Sequence, residues 1–178
     1  MMCENDLTIW TIGHSNRSLG EFIALLTDNA VEAVADVRRF PGSRKHPHFG
    51  QEALQSALLQ AGIAYLSLPE LGGRRRPRPN SRNTVWRSVS FRGYADYMET
   101  AEFRAGIERL MEVASRKRTA IMCAEAVWWR CHRALIADYL KSAGVCVRHI
   151  IENGKAEIHP YTSAARITED GLSYSPAE

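Results

Sequence analysis

Residues 119–151, TAIMCAEAVWWRCHRALIADYLKSAGVCVRHII, decide the fold, because they read as one complete strand–helix–strand unit. Thr119–Cys123 is a short apolar run of strand length. From Cys131 to Ser142, Leu135, Ile136, Tyr139 and Leu140 recur at helical spacing, and Gly144 stands just past the end as a stop. Val145–Ile151 is a second apolar run. Two such strands joined through a helix are expected to be parallel, since a crossover of a dozen or more residues is what returns the chain to the starting edge of a sheet.

The same unit repeats towards the N-terminus. Thr8–Ile12 reads as a strand that stops at Gly13. Ser18 and Glu21 then form a capping box for a helix with Leu19, Phe22, Ile23, Leu25 and Leu26 on its apolar face up to about Asn29. Glu32–Val37 is a strand continuous enough to be buried on both faces. Gln51–Ala61 is a helix stopped by Gly62, and Ile63–Leu68 a third strand. Ala101–Ser115 is a longer helix, preceded by a helical turn at Tyr94–Thr100. Asn153-Gly154 favours a tight hairpin into Lys155–His159. The expected fold is α/β: a mostly parallel open sheet of about five strands with helices on both faces and a C-terminal edge hairpin. Residues 1–7 read as a tail, 8–160 as a single domain, and 161–178 as a polar, mobile C-terminal tail.

A chain of 178 residues that is 45% hydrophobic fits one domain with a buried core. Met1–Asp6 carries acids at Glu4 and Asp6 and neither a basic region nor a long apolar run. The expectation is therefore a cytoplasmic protein with no membrane partner. The four cysteines, Cys3, Cys123, Cys131 and Cys146, lack regular spacing and are expected as reduced thiols. Nothing in the sequence names a cofactor or sets an oligomeric state.

The net charge of +3 conceals an uneven distribution: Arg38, Arg39, Arg44 and Lys45 form one basic stretch and Arg74, Arg75, Arg76, Arg78, Arg82, Arg87 and Arg92 another, 4 + 7 = 11 of the 23 basic residues. Clustered guanidinium groups point to an anionic ligand, the bland alternative being a solvated basic loop. From Pro69 to about Arg92 no period is sustained, so this stretch is expected as a long loop, either a lid over a ligand or disordered.

In open parallel sheets ligands bind beyond the carboxyl ends of the strands. Those positions here are polar: His14, Ser15, Asn16 and Arg17 after the first strand, Asp36, Arg38 and Arg39 after the second, Glu70 after the third, and Cys123, Glu125, Arg130, Cys131, His132 and Arg133 after the fourth. The candidate catalytic residues are His14, Asp36, Glu125 and Cys131. The candidate substrate-binding residues are Ser15, Asn16, Arg38, Glu70, Arg74, Arg75, Arg130, His132 and Arg133.

Each carries a plainer reading. His14 is a general base, a metal ligand or merely a loop imidazole. Asp36 orients His14, binds a ribose hydroxyl, or pairs with Arg17, Arg38 or Arg39. Cys131, beside Arg130, His132 and Arg133 near a helix start, is an activated thiolate or a core residue, and Cys123 reads more as structure. Trp128 and Trp129 stack on a base or cap the core, and one of them is expected in the core. Cys123 and Arg130 have six residues between them, not the five of the cysteine phosphatases, and no glycine-rich phosphate loop is present. Cys123, Cys131 and His132 lack the spacing of a structural zinc site, so no metal is expected.

TIGHSNRSL, ADVRRFPGSR, LPELGGRR, FRGYADYM and MCAEAVWWRCHRALIADYL together resemble the family of domain of unknown function 488, over roughly Thr8 to Pro160. The resemblance implies an α/β protein of bacteria and archaea and brings no substrate or mechanism with it. The functional expectation rests on the residues: an enzyme, hydrolase or transferase, acting on a phosphate-bearing or nucleotide-like anion at the C-terminal edge of the sheet. The alternative is a nucleic-acid-binding protein that uses the arginine-rich 69–92 loop without catalysis. The partner is thus an anionic small molecule or nucleic acid.

Overall fold

The computed structural model describes residue 3, residues 7–152 and residues 155–178. Five strands run parallel: β1 (Thr8–Gly13), β2 (Ala33–Asp36), β3 (Ala64–Ser67), β4 (Thr119–Cys123) and β5 (Cys146–Ile150). β6 (Ala156–Ile158) adds an antiparallel edge, and the strand order is β3-β2-β4-β1-β5-β6. The helices are α1 (Leu19–Asp28), α2 (Gln51–Gln60), α3 (Val89–Tyr97), α4 (Ala101–Ala114) and α5 (Arg133–Ser142). The α/β reading of the sequence holds, with helices on both faces. The Asn153-Gly154 turn lies outside the described residues. Among the described residues no helix is long and apolar enough to cross a membrane.

Alternation along the strands builds two cores. Trp10, Ile12, Val34, Ala120 and Met122 point to α1 and α2, where they meet Phe22, Leu26, Leu54 and Leu58. Ile9, Ala35, Ile121, Cys123 and Val147 point to the other face, against Tyr94, Phe103, Leu110, Leu135 and Leu140 from α3, α4 and α5. Each fully buried side chain of this size contributes about 1.5–3 kcal/mol, so both layers hold the sheet. Helix starts follow local chemistry: the side chains of Ser18, Ser88 and Thr100 accept the backbone N–H three residues on.

Three expectations are corrected. α3 begins at Val89, not in the Tyr94 region, and its Gly93 lies where a Cβ would collide with the Arg75 backbone. Residues 69–88 are packed rather than loose, because buried Asp96 of α3 accepts from the Arg78 backbone, Ser81 and Asn83. The stretch from Thr162, expected as a free polar tail, folds back: β7 (Arg166–Thr168) and β8 (Gly171–Ser173) form a hairpin, and Ala164 and Tyr174 enter the core.

The cysteines also differ from expectation, since Cys3 and Cys146 are joined in a disulfide with their Cα atoms 5.6 Å apart. Cys146 starts β5 and pairs with Thr8 at the start of β1. A sequence separation of 143 hides that proximity from any local reading.

Candidate functional site

The carboxyl ends of β1 and β4 lie side by side, with Gly13 in register with Cys123. From β1 the chain moves to β2 on one side, and from β4 it moves to β5 on the other. This pair of ends is therefore the point at which an open α/β sheet parts into a crevice. Pairing continues beyond the strands, as His14 N–H donates to the Cys123 carbonyl and Ser15 N–H to the Ala124 carbonyl. A Cβ on Gly13 would collide with the Glu125 carbonyl and meet Arg133, so glycine is what lets the chain after β4 close over the end of β1.

A cavity of about 810 Å³ opens here. Its lining includes His14, Ser15, Asn16, Arg38, Arg39, Lys45, Arg74, Glu125, Arg130, Cys123, Cys131 and His132. Arg38, Arg39, Lys45, Arg74 and Arg130 contribute to this lining alongside one carboxylate residue, Glu125, and Arg38 is ion-paired with Asp36. Ser15 and Arg74 hold left-handed backbone conformations, φ 49° and 59°, and both contribute to the lining. Strain of this kind gathers at functional sites.

Two cysteines form part of that lining. Cys123 Sγ and Cys131 Sγ are 2.7 Å apart, both side chains nearly fully buried. Cys131 lies two residues before α5, which starts at Arg133. Burial pushes the Cys131 thiol up, but the Cys123 thiol, the Arg133 charge and the Arg133 backbone N–H outweigh it and bring it down to about 7. The Cys123 thiol is raised well above its ordinary range by burial and by its contact with Cys131. His132 Nε2–H donates to the Val37 carbonyl at 2.9 Å, which leaves the Nδ1 lone pair facing Cys131 Sγ at 3.5 Å. Burial lowers the pKa of this ring, in keeping with a neutral imidazole. A Cβ on Gly73 would stand 2.9 Å from His132 Nδ1, so the glycine makes room for that nitrogen.

Arg133 is 1% exposed. Nη1 donates to Thr11 Oγ1 at 3.1 Å and Nη2 to the Glu125 carbonyl at 2.6 Å, while buried Nε has no hydrogen-bond partner among the described residues. A buried polar line runs on from it. Thr11 Oγ1 lies 2.6 Å from His149 Nδ1, His149 Nε2 lies 2.8 Å from His159 Nδ1, and His159 Nε2 lies 2.8 Å from Asp138 Oδ1. Arg133, Thr11, His149, His159 and Asp138 thus form one continuous hydrogen-bonded row. Burial and the neighbouring His159 and Arg133 hold His149 far below the usual histidine range. Asp138 also accepts from Thr162 N–H, Thr162 Oγ1–H and Tyr174 O–H. The Trp128 ring stacks on His149 at 4.4 Å and packs against the core, as expected of one of the pair, whereas Trp129 is 55% exposed.

The other sequence candidates divide. His14 lies in the cavity lining, stacked on Phe49, with Nδ1–H donating to the Ser15 carbonyl; burial lowers its pKa to about 4. Asp36 does not orient His14: its carboxylate is taken by Arg38 Nε and Nη2 at 2.9 and 2.7 Å and by Tyr65 O–H. Arg38 is in turn held by the Phe49 carbonyl, so it presents its charge from a fixed position. Glu70 points away, to Arg109 of α4. Arg75 turns from the cavity to lie 3.7 Å over the Tyr97 ring. Ser15, Asn16, Arg74, Glu125, Arg130 and His132 do reach the lining, joined by Arg39 and Lys45, which the basic stretch had signalled.

Thr11, Asp138, His149 and His159 were not singled out in the sequence. The available signals were a histidine inside the Val145–Ile151 strand and an aspartate between Leu135 and Tyr139 on the buried side of α5.

The family model described as "Domain of unknown function DUF488" matches residues 18–140, more than half of the chain, and the chain belongs to that family. No curated protein and no solved structure matches it.

Proposed function

We propose that this DUF488 member is an enzyme acting on a small phosphate-bearing or nucleotide-like anion at the C-terminal edge of the sheet, with Cys131 as its nucleophile. The observation that carries this reading is the position of Cys131, in the lining of a basic cavity and with its Sγ within 3.5 Å of His132 Nδ1. The thiolate is the attacking form of cysteine, and His132 Nδ1 is the lone pair placed to take its proton. Arg133 stabilises the resulting negative charge from below. Lys45, Arg74 and Arg130 supply charge around the opening, and Phe40, 64% exposed and also in the lining, offers a face on which a base can stack.

Alkylation of the native protein by iodoacetamide across pH, mapped by peptide mass, tests the reading. Cys131 is expected to react with a midpoint near 7 and to be protected by millimolar inorganic phosphate or adenosine monophosphate. Cys131 that stays inert until the chain is unfolded, or that phosphate does not shield, overturns it.

Solvent-exposed Arg76, Arg82 and Arg87 on the 69–88 segment favour a second reading, nucleic-acid binding. That reading requires affinity for an oligonucleotide to fall steeply, roughly tenfold for every few phosphate contacts, between low and physiological salt. A flat salt dependence removes it.

A further inference from the structure

The proposed chemistry uses one sulfur, yet two cysteines contribute to the cavity lining. Cys123 ends β4 and Cys131 ends the turn Trp128–Arg130, so each is held by its own element. Their Sγ atoms stand 2.7 Å apart, against about 2.05 Å for a bonded pair. Unlike Cys3 and Cys146, both residues contribute to the lining of the basic cavity. Arg133 lies beneath both, and its Nε–H is a buried donor with no partner among the described residues. A thiolate that forms and is consumed beside it is a natural acceptor for such a donor.

We infer that Cys123 and Cys131 form a dithiol couple that reduces low-molecular-weight disulfides whose thiols carry phosphate or carboxylate groups. The inference rests on Cys131 being the nucleophile of the proposed function. Cys131 thiolate attacks one sulfur of the substrate R–S–S–R; the Cys131–S–S–R bond forms, the substrate S–S bond breaks and RS⁻ departs. Cys123 Sγ then attacks Cys131 Sγ, closing the Cys123–Cys131 disulfide, and its proton leaves with the second RS group as RSH. The two enzyme sulfurs are oxidised by two electrons and one substrate disulfide is reduced. An external dithiol returns the couple to its starting state by the same exchange run on the enzyme disulfide. Cys123 suits the resolving role because only a short approach separates it from Cys131. Lys45, Arg74 and Arg130 suit an anionic substrate over a cationic one.

The test mixes the reduced full-length protein at pH 7 with oxidised glutathione, and separately with cystamine, its cationic counterpart. Free thiol release and disulfide mapping are followed, with Cys3–Cys146 scored apart. With oxidised glutathione, two thiols are expected per Cys123–Cys131 bond formed, at a rate at least tenfold above that with cystamine. Cys123→Ser and Cys123→Ala should each release one thiol and stop at a mixed disulfide on Cys131. A mixed disulfide that persists on Cys131 in the wild-type chain overturns the inference while leaving Cys131 as nucleophile. Equal rates with cystamine overturn the substrate class, and Cys131 unreactive to every probe overturns both this inference and the proposed function.

Discussion

Two cysteine couples sit at opposite ends of the same sheet. At the amino ends of the strands, Cys146 begins β5 and is bonded to Cys3. At the carboxyl ends, Cys123 finishes β4 beside Cys131, with both thiols free and Arg133 and His132 against them. The first couple ties the segment before β1 to β5. The second stands in a basic cavity at the point where the sheet parts. Sulfur chemistry here follows from position in a parallel sheet: amino ends pack and carboxyl ends present.

That contrast can be broken most severely at Arg133. Arg133→Met leaves Thr11 and the Glu125 carbonyl without their buried donor and takes the charge from beneath Cys131. It is expected to cost about 3–5 kcal/mol in denaturant unfolding and to slow Cys131 alkylation at pH 7 at least tenfold. The Cys3–Cys146 bond should still form. Removing that bond by Cys3→Ser gives the complementary result, a loss of about 3 kcal/mol in unfolding free energy with the alkylation profile of Cys131 unmoved.

Acid should separate the two ends next. His14 in the cavity lining is held neutral, with its pKa lowered from 6.5 to about 4. The unfolded chain takes up this proton below about pH 6.5, whereas the folded chain does so only near pH 4. The stability tied to His14 is therefore present above pH 6.5 and lost as pH falls towards 4. The expected loss is about 3 kcal/mol in unfolding titrations, and His14→Gln should flatten that part of the curve. The smallest effect comes from a site near neither couple: Ser18→Ala removes the α1 cap and should cost about 1 kcal/mol with both sulfur couples unaffected.

The parallel sheet was legible because strands such as Thr119–Cys123 are apolar on both faces and the crossover helices keep their 3.6-residue period. α3 was misread at its start because Val89–Gly93 carries no apolar stripe. Its glycine answers to the Arg75 backbone, a tertiary demand that no local pattern records. The location of the cavity followed from the rule of strand ends, and so did His14, Cys131 and His132. Asp36, Glu70 and Arg75 stand at the same strand ends or just beyond, yet Arg38, Arg109 and Tyr97 claim them, choices set by side-chain direction in three dimensions. The line from Arg133 to Asp138 draws on β1, α5, β5 and the stretch around His159, and its members become neighbours only after folding.

That line has a consequence for the order in which the molecule is completed. Arginine can only donate, so the row of hydrogen bonds has its head at Arg133, and it ends at Asp138. Three of the four hydrogen bonds that Asp138 accepts come from Thr162 and Tyr174. During synthesis these residues emerge after every strand of the sheet and every helix. Until they arrive, Asp138 lacks these three donors. The stretch beyond His159 works as a latch on the far end of the cavity's own wiring.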